Sequence, residues 1–137
     1  MSSTLQRLYM NVLVKMCSDY ARENVFGEVE LEQDADLMLK FIPPTRMSLI
    51  AGAAATAVSL PLGSTAVRFI IVDEVESASG VNVRLGGAGN DPILVKPPDG
   101  TDKQGCLILF TNAASVHVDN PSATGAVSFR LALGCTP

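Results

Sequence analysis

Tryptophan is absent from this 137-residue chain, histidine occurs once, and aromatic residues make up only 5%. Sugar-binding modules are commonly built on aromatic platforms. Both tyrosines, Tyr9 and Tyr20, fall in the N-terminal stretch, which argues against a carbohydrate-binding β-sandwich module. Charge is scarce as well, at 18% of residues with a net of −4. The ten basic residues are scattered, and without a concentrated basic face no nucleic-acid partner is expected. Three widely spaced cysteines, Cys17, Cys106 and Cys135, speak against a disulfide framework and for thiols made in a reducing cytosol. Cys106 lies in an apolar run and reads as a small core residue. Met1–Cys17 lacks the basic start and continuous apolar core of a secretory signal. The longest apolar stretch, Leu49–Leu62, is too short to span a bilayer and ends at Pro61 and Gly63, so no membrane is expected.

Chemistry-bearing motifs are missing too. His117 sits between Val116 and Val118, which should point inward and leave it on an outer face. It has no motif partner such as a G-x-S-x-G serine, and nucleophilic catalysis needs a positioned base and an orienting group. Arg84–Asn90 (RLGGAGN) superficially suggests a phosphate loop, but Asp91-Pro92 and another short strand follow where a helix N-terminus is required. Those glycines fit a hairpin connection that needs positive φ. Glu28, Glu30, Glu32, Asp34 and Asp36 could line one strand face, and Asp99–Lys103 (DGTDK) is a polar turn. Neither has the convergent oxygens from several segments that a Ca²⁺ site needs. No catalytic residue, cofactor or metal ligand is therefore expected.

What the chain does have is strands. Val67–Phe110 reads as the centre of an antiparallel sheet: a run apolar on both faces at Val67–Val72, a turn at Ser77–Gly80, alternation at Val81, Val83 and Leu85, a short strand at Ile93–Val95, and the run Cys106–Phe110. Asn112–Ser115 is a turn, Val116–Val118 a short strand and Asn120–Gly125 a loop. Ala126–Leu133 gives the cleanest alternation, with Val127, Phe129, Leu131 and Leu133 set against Ala126, Ser128, Arg130 and Ala132. Strands recurring every ~8–12 residues point to a mainly β fold, an antiparallel β-sandwich of jelly-roll-like kind, over residues 25–137.

Upstream, Glu28–Phe41 alternates as extended chain with a turn or bulge at Gln33–Asp36, and Pro43-Pro44 ends it. Arg46–Gly63 is rich in small residues, with a strand expected at Ala57–Leu60. Residues 1–24 form an N-terminal arm, helix or long strand. Leu5, Leu8, Tyr9, Val12, Leu13, Met16 and Tyr20 recur at helical spacing, whereas Leu8, Met10, Val12, Val14 and Met16 share one strand face. Length favours the helix. An apolar face at a chain end has few partners in its own chain, so Leu5, Leu8, Val12 and Met16 are the expected interface.

The order VRFIIV, S-x-S-G, VNVRLGG, I-L-V, GCLILF, V-H-V-D-N-P-S and AVSFRLALG over Val67–Gly134 resembles small β-rich structural proteins of tailed-phage virions. That resemblance implies a non-enzymatic virion subunit, made in the host cytoplasm, that assembles symmetrically on a particle. A capsid cement or decoration role leads, with a tail, neck or fibre-adaptor component as the alternative. Its partners would be copies of itself and the major capsid or other virion proteins. A mean hydropathy of +0.29 fits a homo-oligomer, expected as a trimer, that hides apolar surface between copies.

Overall fold

A computed structural model describes the backbone of residues 5–17, 25–97 and 105–137, and the side chains of residues 39–97 and 105–137. Among these residues there is no helix. The strands are β1 (Leu5–Cys17), β2 (Val25–Leu49), β3 (Thr56–Ala57), β4 (Ala66–Glu76), β5 (Val81–Leu85), β6 (Pro92–Val95), β7 (Leu107–Ala113), β8 (Val116–Asp119) and β9 (Val127–Thr136). They form two sheets, one of five strands in the order β1-β2-β9-β4-β7 and one of four in the order β3-β8-β5-β6. The pairings of β9 with β2 and β4, of β4 with β7, and of β8 with β3 and β5 are antiparallel, as is β5 with β6. Among the described residues the chain divides into two compact units, one within Gln6–Met38 and a larger one within Leu39–Pro137, and β2 belongs to both.

Both sheets contribute to one buried cluster. β4 gives Val67, Ile70, Val72 and Val75, and β9 gives Val127, Phe129, Leu131, Leu133 and Cys135; Val81, Val83, Val95, Val116 and Val118 come from the other sheet. The alternation expected over Ala126–Leu133 is present, with Phe129 fully buried. Each such aliphatic or aromatic side chain contributes about 1.5–3 kcal/mol on burial, so this cluster is the main source of stability.

Several expectations change. Val67–Phe110 is not the centre of one sheet: β4 and β7 lie in the five-stranded sheet, β5 and β6 in the other. Apolarity on each face predicts burial but not which strands pair. Leu5–Cys17 is a strand rather than a helix; its hydrogen-bonded neighbour β2 supplies the backbone partners that make so long a strand possible. Pro43-Pro44 does not end the extended segment. β2 continues to Leu49, and the register with β9 shifts between Ile42 and Thr45, an irregularity that accommodates residues without a ladder N–H. Gln33–Asp36 likewise lies within β2. The strand expected at Ala57–Leu60 is reduced to Thr56–Ala57.

Candidate interaction surface

The face of the five-stranded sheet turned away from the core is laid out in cross-strand rows. Phe41, Gly134, Phe69 and Phe110 stand side by side on β2, β9, β4 and β7; the next row is Ala132, Ile71 and Ile108. Phe69 and Ala132 are buried, Phe41 and Ile71 half-buried, so this half of the face is a second apolar layer. Gly134 sets its closeness, because a Cβ there would lie 3.0 Å from both Leu39 Cδ1 and Phe41 Cε1. The layer opens toward β7, the outermost strand, where Ile108 is 42% and Phe110 45% exposed. The Phe110 ring tilts against Phe69 with centroids 5.1 Å apart, a favourable aromatic geometry.

In the row after that, the same face turns charged. Arg46, Arg130 and Asp73 form one row, and Ser48, Ser128 and Glu76 the next. Arg130 donates two hydrogen bonds to Asp73, from Nε (2.8 Å) and Nη2 (2.6 Å). That paired bonding, with the Asp73 charge beside it, raises the Arg130 pKa. Arg46 donates to the Glu74 carboxylate at 3.2 Å and to Glu76, and Ser128 donates to Glu76 at 2.9 Å. Glu74 reaches this cluster from a left-handed backbone conformation, φ 49°, inside the register shift between Asp73 and Glu76. A bulge of this kind re-aims a side chain at the cost of local strain.

The four-stranded sheet carries a smaller polar cluster on its outer side. Asp119 is 8% exposed and accepts from Arg84 Nε (2.7 Å) and Asn82 Nδ2 (2.9 Å). Burial works to raise the Asp119 carboxyl, but the hydrogen bonds from Arg84 and Asn82 and the Arg84 charge together outweigh it and hold its pKa below the ordinary value. Arg84 also donates to the Asn90 carbonyl at 2.7 Å, so it staples the β5–β6 turn. That turn contains Gly86 at φ +84° and the Asn90 side chain bonded to the Leu85 carbonyl. It is a hairpin connection leading into β6, with no helix behind it to receive a phosphate. His117 pairs with Ala57 and Arg84 across the strands, and its buried Nδ1 has no partner.

An open groove of about 440 Å³ lies where β2 shifts register, lined by Phe41, Ile42, Pro43 and Ser59–Leu62. Among its lining residues only Ser59 carries a polar side chain. No cluster of three or more His, Cys, Asp or Glu side chains suited to a metal occurs among the described residues.

The expected interface residues Leu5, Leu8, Val12 and Met16 lie in β1, whose side chains are outside the described residues. Glu28, Glu30, Glu32, Asp34 and Asp36 lie in β2, also with side chains outside the described residues, and Asp99–Lys103 falls outside them altogether. Cys106 is exposed rather than in the core, and of the two cysteines whose side chains are described the buried one is Cys135. Cys106 shares its parity with Ile108 and Phe110, so the alternation leading into β7 turns it away from the core. Those two residues were missed in the sequence. Their signal was the run CLILF, whose alternate members must face opposite ways once it is a strand.

Comparison with protein-family models, curated proteins and solved structures found no match to this chain.

Proposed function

We propose that the chain is a non-enzymatic structural subunit of a tailed-phage virion, a cement or decoration protein that reinforces a shell by contacts with its own copies and with the major capsid protein. The reading takes the two sheets as a jelly-roll-like sandwich, and it draws on the resemblance over Val67–Gly134. The observation that carries it is the outer apolar layer of the five-stranded sheet, which stays open at Ile108 and Phe110 beside a charged row. A surface with an apolar centre and a polar border suits association between proteins.

On this reading the protein assembles as a homo-oligomer, a trimer in its simplest form, and is carried on the virion after synthesis in the host cytoplasm. Quantitative mass spectrometry of purified particles tests it. Copy numbers in the hundreds per particle, matching the shell lattice, support a cement subunit. A dozen copies or fewer would move the protein to the tail or neck, and absence from particles would end the proposal.

A further inference from the structure

The strand edges differ in how they are protected. β3 has two residues, and β6 opens at Pro92 and is followed by Lys96 and Pro97. Short length, proline and lysine are the usual devices that keep a sheet edge from pairing with another chain. β1 includes Arg7 and Lys15. β7 has none of these: Leu107–Ala113 (LILFTNA) runs for seven residues without a charge or a proline. Among the described strands it is bonded to β4 alone, and its register with β4 shifts only beyond Phe110, so alternate backbone N–H and C=O groups face outward along the regular stretch Leu107–Phe110.

We propose that β7 is the docking edge for β7 of a second copy, paired antiparallel about a two-fold axis at Leu109. The inference rests on reading the chain as a self-associating subunit and names the contact. An outward-facing strand edge is best satisfied by another strand, and three features select a copy of this one. The first is charge: a chain of net charge −4 meets its own copy with least repulsion at an edge that carries none. The second is residue order. About Leu109, Ile108 of one chain falls opposite Phe110 of the other, and Phe110 opposite Ile108, so each half-exposed aromatic receives a β-branched partner. The third is facing. Opposite residues in an antiparallel pair point to the same side, so both Ile108–Phe110 contacts fall on the outer face, while Leu109 meets Leu109 on the core side. The row Phe41–Gly134–Phe69–Phe110 then continues through Ile108, Ile71 and Ala132 of the second copy. This two-fold contact is distinct from any three-fold one, because an isologous interface uses one patch twice.

Light scattering on the wild-type chain and on Phe110→Lys, at equal micromolar concentration, tests the contact. The expected result is an even number of chains in the wild type and a twofold lower mass in the variant, with cooperative melting retained. Equal masses overturn the inference. A wild-type trimer indifferent to the substitution does so while leaving the proposed function standing, and a wild-type monomer removes both. Should Phe110→Lys fail to fold, Leu109→Cys decides through oxidative cross-linking. The two-fold places residue 109 opposite itself within disulfide reach, whereas residue 111 is roughly 13 Å from its copy, four residues along the strand. Rapid cross-linking of Leu109→Cys and none of Thr111→Cys is expected; the reverse order, or cross-linking of neither, overturns the register and the contact with it.

Discussion

β9 and β7 are written in nearly the same alphabet and occupy opposite situations. Each turns large apolar side chains toward the core, but β9 has mostly small residues on its other face (Ser128, Ala132 and Gly134, beside Arg130), whereas β7 puts Ile108 and Phe110 there. β9 lies between β2 and β4, so its core-facing residues are fully covered, and Ala132 and Gly134 on its other face are buried too. β7 lies at the sheet edge, and its outward residues Ile108, Phe110 and Asn112 are exposed while Leu107 and Leu109 are only half-buried. Alternation tells which residues share a face; position in the sheet decides whether that face is finished within the chain. β9 is a strand completed by its neighbours, and β7 is one that a partner would complete.

The sharpest way to break this contrast is inside β9. Phe129→Ala removes the largest fully buried side chain and should cost about 3–5 kcal/mol in a urea melt, since a cavity remains where the ring was. If Phe129→Ala and Ser128→Ala proved equal, the register of β9 would be off by one, because a slip of one residue exchanges the faces.

Away from both strands, Asp119→Ala should cost about 1.5–3 kcal/mol at neutral pH by stranding the Arg84 and Asn82 donors. The pH dependence follows from the direction of the Asp119 shift. A carboxyl depressed in the folded state adds stability that is fully present above its unfolded value of about 3.9 and is lost as pH falls through the folded value. The gap between wild type and variant should therefore narrow in acid. A gap that is constant from pH 7 to pH 2 would show that the lost contribution is packing rather than charge.

The outer layer of β9 gives a smaller effect. Gly134→Leu must displace Leu39 and Phe41, whose atoms stand 3.0 Å from the added Cβ, and overpacking of this kind costs about 1–3 kcal/mol. An unchanged melting temperature would mean that the apolar layer is looser than the rows imply. Smallest of all is Phe110→Ala, at about 1 kcal/mol for losing the ring contact with Phe69. A loss as large as that of Phe129→Ala would make β7 a core strand and erase the contrast.

Much of the fold was legible because its inner face follows a period of two. Val81 and Val83, and Val127 through Leu133, declare their faces without help from the rest of the chain. The turn at Ser77–Gly80 was legible for a local reason as well: Gly80 holds φ +76° and donates to the Ser77 carbonyl. Strand partners were not legible. Nothing in VRFIIV says that it pairs with CLILF and AVSFRLAL rather than with VNVRL, since pairing depends on contacts between residues far apart in sequence. The polar clusters were hidden for the same reason. Arg130 and Asp73 are 57 residues apart, and each alone is an ordinary outward-facing charge. Pro43-Pro44 misled because proline usually stops a strand, whereas here a register shift lets β2 pass. Leu5–Cys17 satisfied both periods, and its hydrogen-bonded neighbour, not its own pattern, settled the outcome.

Amide hydrogen exchange, followed residue by residue at high and at low protein concentration, tests most directly the claim that β7 is completed only by a partner. Protection in β9 should be the same at both concentrations, because its ladder is closed within the chain. In Leu107–Ala113 the amides facing away from β4 should be protected when the protein is concentrated and should exchange freely on dilution, while those bonded to β4 stay protected throughout. Identical exchange in β7 at both concentrations would contradict the account.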